Sequence, residues 1–165
     1  MPTETDVLAA AGFEPLVHTL TLRALDAARA AWPAQPRIAG FAYNCSSACG
    51  FLHVSLTFLP ERAAMEPSDW EHEVVDAELP ALVDLWRQCY EPLRVRYEAA
   101  RVAQPALADV FLDRLRRVLA ELDREGAFAT YPGIRLLVTE VDADTEAEQA
   151  ALARVRAQVA AEDGA

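Results

Sequence analysis

The chain has 165 residues, 53% of them apolar, and a formal net charge of −11. That length and apolar share suit a single packed domain, and the charge argues against a nucleic-acid or anionic-membrane binder, which needs a basic face. All fifteen basic residues are arginine, so Schiff-base chemistry, a P-loop lysine and a lysine general base are excluded.

From the N-terminus, residues 1–6 are acidic and lack a positive n-region, and the apolar run from Val7 to Phe13 is too short for a signal peptide. Residues 1–6 are expected to be loosely ordered, as are 160–165 at the other end. No stretch is long enough to span a bilayer. With three cysteines and no export signal, the reading is a cytoplasmic protein with reduced thiols.

Leu16, Val17, Leu20, Ala24, Ala27, Ala28 and Ala31 recur at helical spacing, predicting a helix over 15–31 that Pro33 and Pro36 close, with a short helix ahead of it ending at Gly12. The period then changes. The run 38–43 and the alternation of Leu52, Val54, Leu56 and Phe58 with His53, Ser55 and Thr57 predict a β-hairpin over 38–58, turning through residues 44–50.

Residues 67–78 gather one tryptophan, one histidine and five carboxylates. Ser68 suits an N-cap with Asp69 and Glu71 in the first turn, predicting a short helix to about Ala77 and a new one from Pro80. Leu82, Leu85, Trp86, Cys89 and Tyr90 form the stripe of that helix, with Cys89 in the core. The segment from Leu107 to Leu122 is the most regular amphipathic helix, stopped by Gly126 as C′ with Phe128 as C″. Ile134 to Val141 reads as a strand, and Thr145-x-x-Glu148 as a capping box opening a last helix with a thin stripe of Leu152, Val155 and Val159. The fold class is α+β: a single domain over 1–165 with a small antiparallel sheet, hairpin 38–58 plus strand 134–141, packed against several helices.

No catalytic residue and no cofactor is assigned. His72-Glu73-x-x-Asp76 has half the spacing of a helical zinc-hydrolase motif but lacks linked ligands. Cys45, Cys49 and His53, completed by His72 or Cys89, form the alternative metal set, for a metal-dependent hydrolase or a zinc-stabilised domain. Arg114, Arg116, Arg117 and Arg124 alternate with acids, as on a solvated face with i,i+4 pairs.

The segments Ile38–Tyr43, Pro67–Glu73 and Leu115–Phe128, the last ending Leu122-Asp123-Arg124-Glu125-Gly126-Ala127-Phe128, together resemble a bacterial family carried as a domain of unknown function. Its members join a hairpin-like half to W-x-x-E and L-x-x-E-G-x-F elements followed by a strand. The resemblance implies an α+β bacterial protein, and small acidic proteins of this build suggest an immunity-type role in toxin systems. The expected function is therefore non-enzymatic binding of a basic protein partner through Asp69, Trp70, Glu71, Glu73 and Asp76. A homodimer through Leu82, Trp86 and Tyr90 is the other non-enzymatic reading.

Overall fold

A computed structural model describes residues 4–140 and 143–162. The fold is α+β, with a three-stranded sheet in the order β2-β1-β3. The elements are α1 (Glu4–Ala10), α2 (Phe13–Ala31), β1 (Gly40–Ser46), β2 (Phe51–Thr57), α3 (Pro60–Ala63), a 3-10 turn (Pro67–Asp69), α4 (Val75–Glu78), α5 (Pro80–Cys89), α6 (Glu91–Ala103), α7 (Leu107–Arg124), β3 (Arg135–Glu140) and α8 (Thr145–Glu162). Helix therefore begins at Glu4, inside the segment expected to be loose, and α8 runs through 160–162. Residues 1–3, 163–165 and Val141 lie outside the described residues.

The hairpin is in register from Gly40↔Thr57 to Ser46↔Phe51. Strand β3 pairs with β1 in parallel, Gly40↔Arg135 to Cys45↔Glu140, so the sheet is mixed where an antiparallel one was expected. The reason is long-range: β2 already returns the chain to the end where β1 starts, and after α3 to α7 it enters β3 from that same end on the other side of β1. Two parallel strands cannot be joined by a tight turn, and local alternation holds no record of strand direction.

Strand periodicity gives the sheet two unlike faces. The inner face presents Phe41, Tyr43 and Cys45 of β1, Leu52, Val54 and Leu56 of β2, and Leu136 and Val138 of β3, all buried in one cluster with the helices. Phe111 of α7 anchors it, its ring centroid 5.3 Å from Phe13 and 4.9 Å from Tyr97. The polar atoms of the buried Thr21, Tyr43, Trp86 and Tyr90 are paired. Thr21 Oγ1 donates to Val17 O at 2.7 Å, so the Tyr43 hydroxyl, 2.5 Å away, donates to Thr21. Trp86 Nε1 donates to Leu52 O at 3.0 Å and Tyr90 Oη to Gly50 O at 2.7 Å. Leu82, Trp86 and Tyr90 are thus internal: the stripe expected to form a dimer interface already faces its own core. Cys89, in contrast, is exposed.

Helix α7 ends in a Schellman arrangement. Gly126 N donates to Asp123 O at 3.1 Å and Ala127 N to Leu122 O at 2.9 Å, with Gly126 at φ 86°. The C″ residue is therefore Ala127, and Phe128 follows it into the core against Phe41, 5.3 Å between centroids.

Helix α8 buries Leu152 and Val159, and ion pairs to α7 supplement that thin stripe. Arg116 is buried and donates to both oxygens of Glu148, at 3.0 and 2.8 Å, and to Asp113 at 2.7 Å. Arg117 pairs with Glu121 at i+4, as expected, and with Glu162 of α8. The arginine run is thus partly an internal seam. The start of α8 is capped by Asp144, whose Oδ1 accepts from Glu146 N at 2.9 Å, while Thr145 donates to Glu66 at 2.6 Å. The capping box is displaced because Glu148 is held by Arg116.

Candidate functional site

The segment 67–78 is not one helix. After the 3-10 turn the chain is extended, and His72 forms an antiparallel bridge with Leu56. Its effect is to close the free edge of β2. Phe58 N donates to Glu71 Oε1 at 2.7 Å, Leu56 N to His72 O at 2.9 Å, and Val54 N to Asp76 Oδ1 at 3.4 Å. Three successive outward N–H groups are so satisfied, by a side chain, a backbone carbonyl and a side chain. An open strand edge invites foreign pairing, and here acidic residues block it.

Each residue expected to form the partner patch has a definite place. Trp70 is 4% exposed and packs on Ala42 and Leu137, covering one half of the outer face of the sheet. Glu71 reaches back to Thr57 Oγ1 at 2.6 Å as well as to Phe58 N. Burial pushes its carboxyl up, but the Thr57 and backbone hydrogen bonds, with His72 nearby, hold it below the usual carboxylate range. Burial pushes the Asp76 carboxyl up to about 6 against the backbone N–H groups that favour its charge. Asp69, Glu71 and Glu73 are exposed and Asp76 is half-buried. The five do not share a solvent face.

The metal set is also dispersed. In the hairpin register Cys45 pairs with Leu52, and Asn44 with His53, so Cys45 and His53 project from opposite faces of the sheet. Cys45 donates to Thr139 O at 3.3 Å, and burial, reinforced by Glu140 and Glu148, raises its thiol far above the range where a thiolate forms at neutral pH. His72 stacks on Trp32 at 3.8 Å and bonds Glu78 at 2.8 Å. Among the described residues no group of three or more His, Cys, Asp or Glu is arranged to hold a metal ion, and no helix is long and apolar enough to cross a membrane.

The other half of the outer face is open. Where β1 and β3 end and β2 begins, a cleft of about 540 Å³ is lined by Asn44, Ser46, Phe51, His53, Glu66, Ser68, Glu73, Thr139 and Glu140, among others. Beneath Asn44 runs a buried polar track: Asn44 Nδ2 donates to Ser55 Oγ at 2.6 Å, and Ser55 in turn to the Glu73 carbonyl. Glu66 and Glu73 line it with no arginine, and Glu140, in register with Cys45, reaches it only at the strand end. Burial lowers the basicity of His53, which favours its neutral ring. Phe51 is 46% exposed at the rim, edge-on to His53 at 4.6 Å. Glu140 accepts from Ser47 N and Glu66 from Thr145, whereas Glu73 makes no side-chain hydrogen bond or ion pair among the described residues.

A cleft with an aromatic rim, hydrogen-bond acceptors and uncompensated carboxylates suits an ammonium or guanidinium group, held by charge and by the π face together. The polar face of β2, with His53 and Ser55, was legible as alternation, and Glu73 lay in the conspicuous cluster. Glu66 and Glu140, 74 positions apart in the sequence, carried no local signal. Comparison of the chain with family models, curated proteins and solved structures finds no match.

Proposed function

We propose that this is a non-enzymatic binding protein that takes a basic group of a protein partner into the outer-face cleft. The observation that carries the reading is the lining itself: Glu66 and Glu73, with Glu140 at the strand end and no arginine, in a chain whose cations are otherwise numerous. The net charge of −11 adds long-range attraction for a basic partner and speeds its encounter. Within the expected patch, Glu73 is the member that lines the cleft, and Trp70, Glu71 and Asp76 support it by sealing the sheet beside it. Neutralising a basic toxin, the immunity-type role implied by the resemblance, would use this chemistry.

The test is calorimetric titration with a short arginine-containing peptide and its citrulline counterpart. Saturable binding of the arginine peptide is expected, weakened about tenfold, or ~1.4 kcal/mol, by Glu73→Gln and unaffected by Asp84→Asn on the exposed side of α5. Equal binding of the citrulline peptide, equal losses in both variants, or no saturation would each refute the cleft as the site.

A further inference from the structure

On another part of the surface, where α2 ends, lies a pocket of about 370 Å³ with the opposite polarity. Its floor is buried and apolar, formed by Ile38, Phe58 and Tyr131, and one wall is the half-buried ring of Trp32. That wall is held in place. Trp32 stacks on His72 with centroids 3.8 Å apart and meets Phe58 edge-on at 5.9 Å, while His72 is tied to Glu78 and, through its carbonyl, to Leu56 N. The only charged residues in the lining are Arg29 and Arg37. Arg29 Nε donates to Tyr131 Oη at 2.6 Å and its guanidinium stands 5.4 Å from that ring's centroid, which fixes its position. Its contact with Asp26 is between exposed groups and contributes little. Arg37 is exposed and makes no hydrogen bond or ion pair among the described residues.

We propose that this pocket binds a small organic acid with a flat, one- or two-ring apolar body. Two arginines without a lining carboxylate select an anion, and their planar forks suit a carboxylate. The overall charge of −11 opposes any anion at long range, so an ion that offers charge alone gains little. One that also buries a ring against Trp32, Phe58 and Tyr131 gains the apolar contribution as well. The size agrees: a dry cavity of ~150 Å³ already accommodates benzene, and this pocket is more than twice that. In this role His72 is neither ligand nor catalyst but the backing of the Trp32 wall, which accounts for the one histidine of the acidic cluster.

The probes are 2-naphthoate, its uncharged analogue 2-naphthamide, and inorganic phosphate, each titrated into the full chain by calorimetry. Saturable binding of 2-naphthoate is expected, with naphthamide and phosphate each at least tenfold weaker. Arg37→Ala should weaken naphthoate about tenfold and leave naphthamide unchanged, and Arg37→Lys should recover part of the loss. Arg37 has no structural partner, so this variant folds as the parent does. No saturation by about 10 mM naphthoate, equal affinity for naphthoate and naphthamide, phosphate binding as tightly as naphthoate, or an unaltered Arg37→Ala titration would overturn the proposal.

Discussion

The inner and outer faces of the same three strands solve burial in different ways. Inside, Phe41, Tyr43, Leu52, Val54, Leu56 and Val138 meet a continuous layer of helices, and the Tyr43 hydroxyl and the Trp86 indole N–H find partners. Outside, a single side chain, Trp70, covers Ala42 and Leu137, and the remaining surface is an acidic cleft. Trp70 is also less well satisfied, since its indole N–H is buried with no partner among the described residues. The difference teaches where function has room. A face closed by many helices tolerates little change, whereas one sealed at half its length by one ring leaves polar groups free to meet a ligand.

The largest test of that contrast is a pair of truncations. Phe111→Ala should cost about 3–5 kcal/mol in urea unfolding, since its cavity is enclosed on every side. Trp70→Ala should cost less, because the space it leaves lies beside an open cleft and can be filled by solvent. Equal losses, or a larger loss at Trp70, would break the distinction between the faces. A smaller effect is expected at Gly40, where a Cβ would come 2.9 Å from Trp70 Cη2 and 3.0 Å from Thr57 Cγ2. Gly40→Ala should destabilise by about 1–3 kcal/mol through overpacking. In a Trp70→Phe background, which lacks the atom met first, the same change should cost markedly less. Additive losses in that double-mutant cycle would show that the ring does not press on the sheet as described.

The smallest effect concerns the edge between the faces. Because the folded pKa of Asp76 is raised to about 6, its ionisation opposes folding. The penalty is absent below the unfolded value of about 4, grows as pH rises, and is complete above about 6. Asp76→Asn keeps an acceptor for Val54 N and cannot ionise, so it should gain on the parent by about 1–2 kcal/mol between pH 4 and 7.5. A constant difference between the two proteins across that range would mean that the carboxyl is not buried at the edge of β2.

How much of this was legible varied with the range of the interaction. The hairpin, α2, α7 and its glycine stop were readable because alternation, 3.6-residue spacing and capping are local. The acidic cluster looked helical for an equally local reason: a cap-like Ser68 followed by acids. What overrode it was the unpaired edge of β2, whose N–H groups are satisfied by Glu71, His72 and Asp76, and no window around residue 70 contains that edge. Cys89 failed similarly, lying on an apolar stripe whose other members turn inward. The candidate site was half visible. Glu73 and His53 were singled out, but Glu73 for a patch whose Trp70 is buried and His53 for a metal set that the opposing faces of the hairpin keep apart.

By itself the sequence determined the fold class, the positions of the strongest helices and strands, the absence of lysine chemistry and the acidic field. These depend on composition and on neighbours within a few turns. Only the tertiary structure decided that β3 runs parallel to β1, that Trp70 is a seal and not a surface anchor, and that Glu66, Glu73 and Glu140 meet in one cleft while Arg29 and Arg37 line another. Each of those outcomes depends on which distant segment covers a face or an edge of the sheet. That choice is made by the burial of the whole chain and not by any one stretch of it.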